Sequence, residues 1–323
     1  MTEDRFLVTG SAGCIGAWVL RNLVREGVRV TAFDRDGQGH RLALLLGEDE
    51  IARIQFIQGD ITDVQAVANA LKESRANRVI HLAALQLPFC KADPVAGARV
   101  NVVGTVNLFE AAKRAHLEGL VYASSTAVYG ISEEYPEEPL AHDAPLKPRS
   151  HYGVYKQANE GTASVYYRED AICSIGLRPY VVYGAGRDQG MTSTPTRAIL
   201  AAACGQPYHI SYGGRYCFQY GDDTAKAFIR AARAEFNAAG VFNLGGASVS
   251  TREVIAAIER VEPSARGRIT FEDVPLPFPA EVDNTALVAA IGPLHFTPLE
   301  EGVSQTLEIF RRALAEGKII WGE

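Results

Sequence analysis

Short apolar runs alternate with amphipathic segments along the first half of the chain. Continuous apolar runs are typical of strands buried on both faces, whereas apolar positions at i, i+3, i+4 and i+7 are typical of helices with one buried face. The runs predict strands at residues 6–8, 28–33, 54–58, 79–84, 120–123 and 173–177. The amphipathic segments predict helices near residues 15–24, 42–46, 64–71, 100–115 and 152–167.

This alternation of strand and helix predicts an α/β fold built on a parallel, doubly wound sheet. Sheets of this kind bind their ligands at the carboxyl ends of the strands. The residues at or just beyond those predicted ends include Gly10, Asp34, Asp60, Ala83 and Ser125. Their shared position predicts a binding site at this edge of the sheet.

Beyond residue 177 the pattern becomes irregular. It predicts helices at residues 196–204, 223–234, 251–261 and 303–315, and short strands at 218–220 and 241–244. Residues 131–149 are acidic and punctuated by prolines, which favours a long loop over the site, and residues 274–279 are too rich in proline for regular structure. We therefore expect the substrate side of the site to come from segments after Leu177.

The first predicted turn carries three glycines in the spacing G-x-x-G-x-x-G, at Gly10, Gly13 and Gly16. A turn from strand to helix needs glycine for three reasons: a tight turn, a close approach of backbone to a pyrophosphate, and close packing of helix on strand. The helix N-terminus that follows offers free N–H groups and a positive partial charge to phosphates. The stretch thus predicts a dinucleotide site.

The second predicted strand ends at Asp34, about 20 residues past the glycines, where an acidic side chain binds the adenosine ribose hydroxyls. The same carboxylate would repel a 2′-phosphate, so the sequence favours NAD over NADP. Two alternatives stay open: Asp34 caps a turn, or Arg35 beside it accommodates the phosphate of NADP.

Composition narrows the remaining classes of function. The 323 residues are 47% hydrophobic and 22% charged, with a net charge of −6, which gives no basic surface for nucleic acid. No apolar stretch approaches the roughly 18 residues that cross a bilayer, and a strand begins too early to leave room for a signal peptide. The five cysteines are scattered without metal-ligand spacing, so we expect reduced thiols, no metal site and a cytoplasmic location.

Tyr152 and Lys156 lie four residues apart in a predicted helix and therefore share a face. A tyrosine acts as a general acid or base when its pKa falls toward neutrality, and a neighbouring ammonium favours the phenolate. Ser125 ends the fifth predicted strand and can hydrogen-bond the same substrate oxygen. The three residues suit hydride transfer from an alcohol to a nicotinamide, although such a pair on its own is often an ordinary helix surface.

The chain as a whole resembles the extended short-chain dehydrogenase/reductases of the NAD-dependent epimerase/dehydratase family. The matching motifs are Thr9-Gly10-x-x-Gly13-x-x-Gly16, Asp34, Gly59-Asp60, His81-Leu82-Ala83-Ala84, Asn101-x-x-Gly104-Thr105, Ser124 to Gly130, Tyr152-x-x-x-Lys156, Leu177-Arg178-Pro179 and Tyr220-x-Asp222-Asp223. The resemblance implies that Asp60 meets the adenine ring, that Lys156 also binds the nicotinamide ribose, and that Asn101 supports the helix positioning the site.

The resemblance also implies two domains and a site that binds NAD and a small molecule. A Rossmann-type NAD-binding domain would comprise residues 1–178 plus about 218–250, and a smaller C-terminal substrate domain about 179–217 plus 251–323. The cofactor residues would be Gly10, Ala12, Gly13, Cys14, Ile15, Gly16, Asp34, Arg35, Asp60, Ile61, Leu82, Ala83, Ala84, Asn101, Tyr152, Lys156, Pro179 and Val182. The substrate residues would be Leu85, Ser125, Thr126, Tyr152, Tyr180, Arg187 and Arg215. Helices 100–115 and 152–167 form a dimer interface in many relatives, which implies a homodimer.

Several positions depart from the family pattern. Thr126 and Ala127 replace the Asp-Glu pair with which sugar dehydratases eliminate water. Val181 and Tyr216 stand where nucleotide-sugar enzymes carry an asparagine and a pyrophosphate-binding arginine, and residues 277–281 lack a second such arginine. Because charge-assisted hydrogen bonds are the strong ones, these losses argue against a nucleotide-linked substrate.

The sequence therefore favours an NAD-dependent dehydrogenase that oxidises a secondary alcohol of a free sugar or sugar acid. The alternative is an epimerase of UDP-sugars, which uses tightly bound NAD and a transient ketone. A redox-inactive NAD sensor on the same fold is a third possibility, and it is disfavoured because a sensor needs no set such as Ser125, Tyr152 and Lys156.

Overall fold

A parallel sheet forms the centre of the molecule in the computed structural model, which describes residues 3–117 and 119–322. The strands are β1 (Arg5–Thr9), β2 (Arg29–Asp34), β3 (Gln55–Gln58), β4 (Arg78–His81), β5 (Gly119–Ala123), β6 (Ser174–Arg178), β7 (Val181–Tyr183), β8 (Tyr208–Ile210), β9 (Arg215–Tyr220), β10 (Ala239–Asn243), β11 (Ala247–Ser250) and β12 (Ile269–Phe271). Within the described residues, seven of them pair in the order β10-β6-β5-β4-β1-β2-β3, all parallel. This arrangement confirms the predicted doubly wound sheet.

Helices connect the strands and cover the sheet. They are α1 (Cys14–Arg25), α2 (His40–Leu45), α3 (Glu48–Ile51), α4 (Val64–Ser74), α5 (Leu87–Ala92), α6 (Pro94–Ala98), α7 (Gly104–Ala115), α8 (His151–Asp170), α9 (Thr194–Ala203), α10 (Gly221–Arg233), α11 (Thr251–Val261), α12 (Thr285–Ile291) and α13 (Leu299–Ala315). One π-helical turn, Arg99–Val103, joins α6 to α7, so the helix predicted from residue 100 begins with an irregular turn.

The core lies on both faces of the sheet, as the continuous apolar runs require. In β1, Phe6 and Val8 belong to the cluster that contains Trp18 of α1 and Phe228 of α10, whereas Leu7 packs on the opposite face with residues of α4 and α7. Alternate side chains of a strand point to opposite faces of the sheet, so a strand without polar residues is one that is buried on both faces.

Two small sheets lie outside the central one, and of their strands the sequence analysis predicted part of β9, at residues 218–220. In the part of the chain that is described, β11, β9 and β7 form one, and β12 pairs with β8 to form the other. Their strands are mostly three or four residues long, too short to show a periodicity, and the short helices α3, α5, α6 and α12 escaped for the same reason. No helix within residues 3–117 and 119–322 has the length and apolar character to span a membrane.

The acidic loop at residues 131–149 does not line the candidate site, contrary to the prediction from its proline content. Its apolar residues explain the difference. Tyr135 and Leu140 are buried in a small cluster with Cys217 and Val282, and the Leu140 amide donates to the Glu281 carbonyl at 2.9 Å. The loop is therefore anchored to the C-terminal segments.

Candidate active site

Two adjoining cavities, of about 230 and 400 Å³, open at the carboxyl ends of the central strands. The predicted strand-end residues meet there, and they line one cavity or both: Gly10, Asp34, Asp60, Ala83 and Ser125. We refer to the larger cavity as the dinucleotide cleft and to the smaller one as the reaction cavity. They share several residues of the glycine turn, so together they form one continuous depression.

The turn between β1 and α1 is packed so closely that it requires glycine. Gly10 has φ +69°, and a Cβ there would lie 2.4 Å from the Ala83 backbone nitrogen. A Cβ at Gly16 would lie 2.4 Å from the Gly10 carbonyl oxygen, whereas one at Gly13 would lie 3.1 Å from that oxygen. Gly13 precedes α1, whose N-terminus has no side-chain cap, so its first N–H groups are available to a phosphate.

Asp34 ends β2 and lines the dinucleotide cleft. Its two carboxylate oxygens accept the amides of Ala12 at 2.9 Å and Asp36 at 3.1 Å. The carboxylate therefore braces the turn, and it keeps further lone pairs for a ligand hydroxyl. Arg35 also lines this cleft, but its side chain is exposed and pairs with Asp36 at 3.3 Å.

Ser125, Tyr152 and Lys156 converge on the reaction cavity. Ser125 precedes a short 3-10 turn after β5, and its Oγ accepts the Ala127 amide at 3.1 Å. Tyr152 and Lys156 lie in the first turns of α8, with the Lys156 ammonium 5.7 Å from the centre of the tyrosine ring. Lys156 Nζ donates to the Ala123 carbonyl at 2.6 Å, which fixes the ammonium beneath the strand end.

Burial dominates the electrostatics of this cavity. It raises the pKa of Tyr152 above its ordinary value, against the opposing effects of a hydrogen bond to Ser125 and the charge of Arg187. It also lowers the pKa of Lys156 to about 8, although nearby Cys90 and Glu160 favour the charged form. The sequence predicted that Lys156 lowers the pKa of Tyr152. In the structure the Lys156 ammonium donates to a backbone carbonyl, and the effect of burial on Tyr152 is the largest, so the pKa of Tyr152 is raised instead.

The wall facing α8 carries Arg187. Its Nη2 donates to Thr192 Oγ1 at 2.9 Å and its Nη1 to Gln86 Oε1 at 3.4 Å. Its Nε is buried without a hydrogen-bond partner in the described part of the chain, and so is the hydroxyl of Tyr180 nearby. Unpaired buried donors of this kind are rare, and they are suited to a ligand that supplies acceptors.

The structure separates two of the predicted residues from the cleft. Arg215 is on β9 and points away, where it donates to the Ser248 carbonyl at 2.8 Å and pairs with Glu253 at 2.9 Å. Asn101 is buried behind the wall, with its Oδ1 accepting the Leu85 amide at 2.7 Å. All the other predicted cofactor and substrate residues line one cavity or both.

Further residues line the cavities that the sequence analysis did not assign to the site, besides some that directly neighbour predicted residues along the chain. They are Phe33, Asp36, Arg41, Gly59, Gln86, Leu87, Pro88, Phe89, Val100, Gly186, Asp188, Gln189, Met191, Thr192 and Phe278. Most lie in loops or short helices that show no periodic pattern. No group of three or more His, Cys, Asp and Glu residues within the described chain could hold a metal ion.

A buried ion pair anchors α8 behind the reaction cavity. Arg178 of β6 makes a bidentate contact with Glu160 of α8, with Nε–Oε1 at 2.8 Å and Nη2–Oε2 at 2.7 Å. Ser124, next to Ser125, donates its hydroxyl to the same carboxylate at 2.5 Å. Glu160 follows Lys156 by one helical turn, so this network ties α8 to β5 and β6.

Comparison with known proteins agrees with this geometry. A model of the "NAD dependent epimerase/dehydratase family" matches residues 6–245. The chain is 32% identical, over 324 aligned residues, to a UDP-glucose 4-epimerase of Mycolicibacterium smegmatis, covering 95% of this chain and 98% of that protein.

Solved structures of two epimerases are also similar. The UDP-glucose 4-epimerase of Thermus thermophilus, determined with NAD, has a TM-score of 0.79 at 28% identity, covering 96% of this chain and 99% of that one. The UDP-N-acetylglucosamine 4-epimerase of Methanobrevibacter ruminantium has a TM-score of 0.83 at 25% identity, with the same coverage. The glycine turn, the strand-end acid and the Ser-Tyr-Lys set thus occur in a matching fold, and the chain belongs to the NAD-dependent epimerase/dehydratase family.

Proposed function

We propose that this protein is an NAD-dependent 4-epimerase of a UDP-sugar. One observation carries the proposal: Ser125, Tyr152 and Lys156 converge beside a glycine turn fit for a dinucleotide. Similarity along nearly the whole chain to a UDP-glucose 4-epimerase supports the choice of reaction. The sequence analysis favoured net oxidation of a free sugar or sugar acid and kept this epimerase as its alternative. The comparisons favour the epimerase.

Two features of the cleft suit a dinucleotide. The turn between β1 and α1 packs too closely against backbone for a Cβ at Gly10 or Gly16, and Asp34 lines the cleft at the end of β2, where an acid is expected to bind a ribose. When bound, NAD supplies the acceptor for a hydride from the substrate's carbinol carbon. Tyr152 is placed to take the hydroxyl proton and Ser125 to orient the same oxygen. To accept that proton Tyr152 must first be a phenolate, a form that the Lys156 ammonium favours.

Epimerisation needs the same residues to work in reverse. The transient ketone must present its other face in the cavity, and Tyr152 then returns the proton to the carbonyl oxygen, which becomes the new hydroxyl. Thr126 and Ala127 provide no carboxylate pair for removing water, so the site is suited to redox chemistry at one carbon rather than to dehydration.

A second candidate is the net dehydrogenase of a free sugar or sugar acid, which one structural feature favours. Val181 and Tyr216 are buried, and the segment at residues 277–281 brings Phe278 to the cavity and no cation. Within the described residues, Arg187 is the one arginine lining the reaction cavity. A pyrophosphate would therefore rely on Arg187, backbone amides and hydroxyls.

Two assays on one preparation separate the candidates. A UDP-sugar epimerase purified without added cofactor is expected to carry NAD and to interconvert UDP-glucose and UDP-galactose without net NADH. Net NADH formation from free sugars or sugar acids, with no binding of uridine diphosphate in calorimetry, would instead establish the dehydrogenase and overturn the epimerase.

Arg187→Met is expected to weaken binding of uridine diphosphate about tenfold to a hundredfold, because it removes a charged donor from a desolvated wall. Arg215→Met is the matched control. It removes an arginine that points away from the cleft and should leave the affinity unchanged. Calorimetric titration of both variants measures the effect, and equal affinities would remove Arg187 from the substrate site.

Asp34→Ala is expected to weaken NAD binding about tenfold or more and to narrow the preference for NAD over NADP. The change removes both an acceptor for the ribose hydroxyls and the charge that repels a 2′-phosphate. Titration of the cofactor-free protein with each dinucleotide gives the two constants. Tighter binding of NADP than of NAD by the unchanged protein would contradict this assignment.

The pH dependence of kcat/KM is expected to rise to a plateau above about pH 8. The pKa of Lys156 is lowered to about 8 by burial, so the Tyr152–Lys156 pair loses its first proton there. Below that pH both groups hold protons and Tyr152 cannot accept another. Above it one proton has left the pair, and transfer of the remaining proton from Tyr152 to Lys156 gives the phenolate beside an ammonium. Lys156→Met leaves Tyr152 with a pKa raised by burial, so its rise should move above about pH 10. A flat profile between pH 6 and 10, roughly the working range of the assay, would contradict this role.

A further inference from the structure

The rim of the dinucleotide cleft is bridged by a fork of hydrogen bonds between Arg41 and Asp188. Arg41 Nη2 lies 2.7 Å from Asp188 Oδ1, and its Nε lies 3.0 Å from each carboxylate oxygen. His40 Nε2 lies 2.9 Å from Oδ2 of the same carboxylate. Burial raises the pKa of Asp188, but the bonds from Arg41 and His40 outweigh it and the net shift is downward, so the ionised form is favoured.

Arg41 also fixes the bridge to the glycine turn. Its Nη1 donates to the Ala12 carbonyl at 3.0 Å. Gly39 has φ +64°, and a Cβ there would lie 2.7 Å from the Ala12 Cβ; a Cβ at Gly186 would lie 3.4 Å from the Arg41 Cβ. The two segments therefore fit against the turn and against each other with little space.

The two partners come from separate parts of the chain. Arg41 lies at the start of α2, just after β2, whereas Asp188 follows β7, 147 residues later. Both side chains line the dinucleotide cleft, together with Asp34 and Asp60. The Arg41 side chain is 15% exposed and that of Asp188 39%, so the pair is more desolvated than an ordinary surface ion pair.

We infer that the Arg41–Asp188 pair is a closure that retains the reduced cofactor through the catalytic cycle. The inference rests on the proposed function, because an epimerase must return the same hydride and therefore must not release NADH between its two half-reactions. A bidentate pair that joins both sides of the rim opposes opening of the cleft. Breaking the pair should therefore change the rate at which NADH is released more than it changes the contacts between NADH and the cleft. Arg41 and Asp188 are positioning residues in this role.

Dissociation of NADH, followed by its fluorescence in a displacement experiment without sugar, tests the closure. Arg41→Met and Asp188→Asn are each expected to speed dissociation about tenfold or more. The double variant should be no faster than Arg41→Met alone, since Arg41→Met already breaks the pair, together with the bond to the Ala12 carbonyl. Arg41→Lys keeps the charge but loses the fork, and it should fall between the unchanged protein and Arg41→Met.

Arg260→Met is the matched control, since it breaks an exposed arginine–carboxylate pair, with Glu300 at 2.6 Å, and neither residue lines a cavity. Thermal unfolding of each cofactor-free variant separates loss of fold from loss of closure. An unchanged dissociation rate in Arg41→Met and Asp188→Asn, or an equal effect in Arg260→Met, overturns the inference. Because no sugar is present, this result is independent of whether UDP-sugars prove to be the substrate.

Discussion

Turnover is expected to fall about 10²–10⁴-fold when Tyr152 is replaced by Phe, the usual range for loss of a general acid or base. The phenylalanine ring can occupy the same space against the Lys156 side chain, which lies over the tyrosine ring. The variant loses the phenolic hydroxyl that, in the proposed reaction, exchanges a proton with the substrate oxygen. Ser125 is left to orient that oxygen but has no base to relay its proton.

Steady-state kinetics with the established substrate, together with titration of NAD, measures this effect. NAD affinity should remain close to that of the unchanged protein, so that a fall in kcat reports the chemical step. Tyr155→Phe is the control: its hydroxyl donates to the Pro94 carbonyl at 2.9 Å, outside the reaction cavity, and its loss should be mild. Full turnover in Tyr152→Phe would show that another residue moves the proton.

Glu160→Gln is expected to lower the free energy of unfolding by about 3–5 kcal/mol, the range for removing one partner of a buried ion pair. Glu160 and Arg178 are both almost fully buried, with side chains 7% and 4% exposed. The amide keeps the size of the side chain but leaves the Arg178 guanidinium without its compensating charge, and it removes an anionic acceptor from Ser124.

Chemical denaturation of the cofactor-free protein gives this free energy directly. Glu300→Gln is the matched control, because Glu300 pairs with Arg260 at 2.6 Å while both side chains are more than half exposed. Exposed pairs contribute about 0–1 kcal/mol, so the control should change little. A loss below about 1 kcal/mol in Glu160→Gln would mean that the buried pair does not stabilise α8 as described.

Most of the central sheet could be predicted from the sequence because strands such as β1, β2, β4 and β6 are buried along nearly their whole length. Such strands appear as unbroken apolar runs, and the predicted limits of β1 to β6 differ from the observed ones by only a few residues. The glycine turn, Asp34 and the Ser-Tyr-Lys set were found for a related reason. Each is defined by its place at a strand end or by spacing along one helix, which are local properties of the chain.

The opposite wall of the cleft depends on contacts between distant segments. Arg187 contacts Gln86, 101 residues earlier in the chain, and Arg41 contacts Asp188, 147 residues later. No local pattern in the sequence reveals such pairs. Arg215 illustrates how strand periodicity decides a single position. It precedes buried Tyr216 in β9, and adjacent side chains of a strand face opposite ways, so the Arg215 guanidinium lies on the exposed face, where it pairs with Glu253.

The spacing of residues along α8 limits how this protein can change in length. Tyr152, Lys156 and Glu160 follow one another at intervals of four and so occupy one face of the helix. Inserting one residue between Tyr152 and Lys156 rotates the segment before the insertion by about 100° relative to the segment after it. Either Tyr152 or the buried carboxylate of Glu160 must then leave its place. Insertions and deletions in this helix should therefore be eliminated in evolution, while exposed loops elsewhere vary in length.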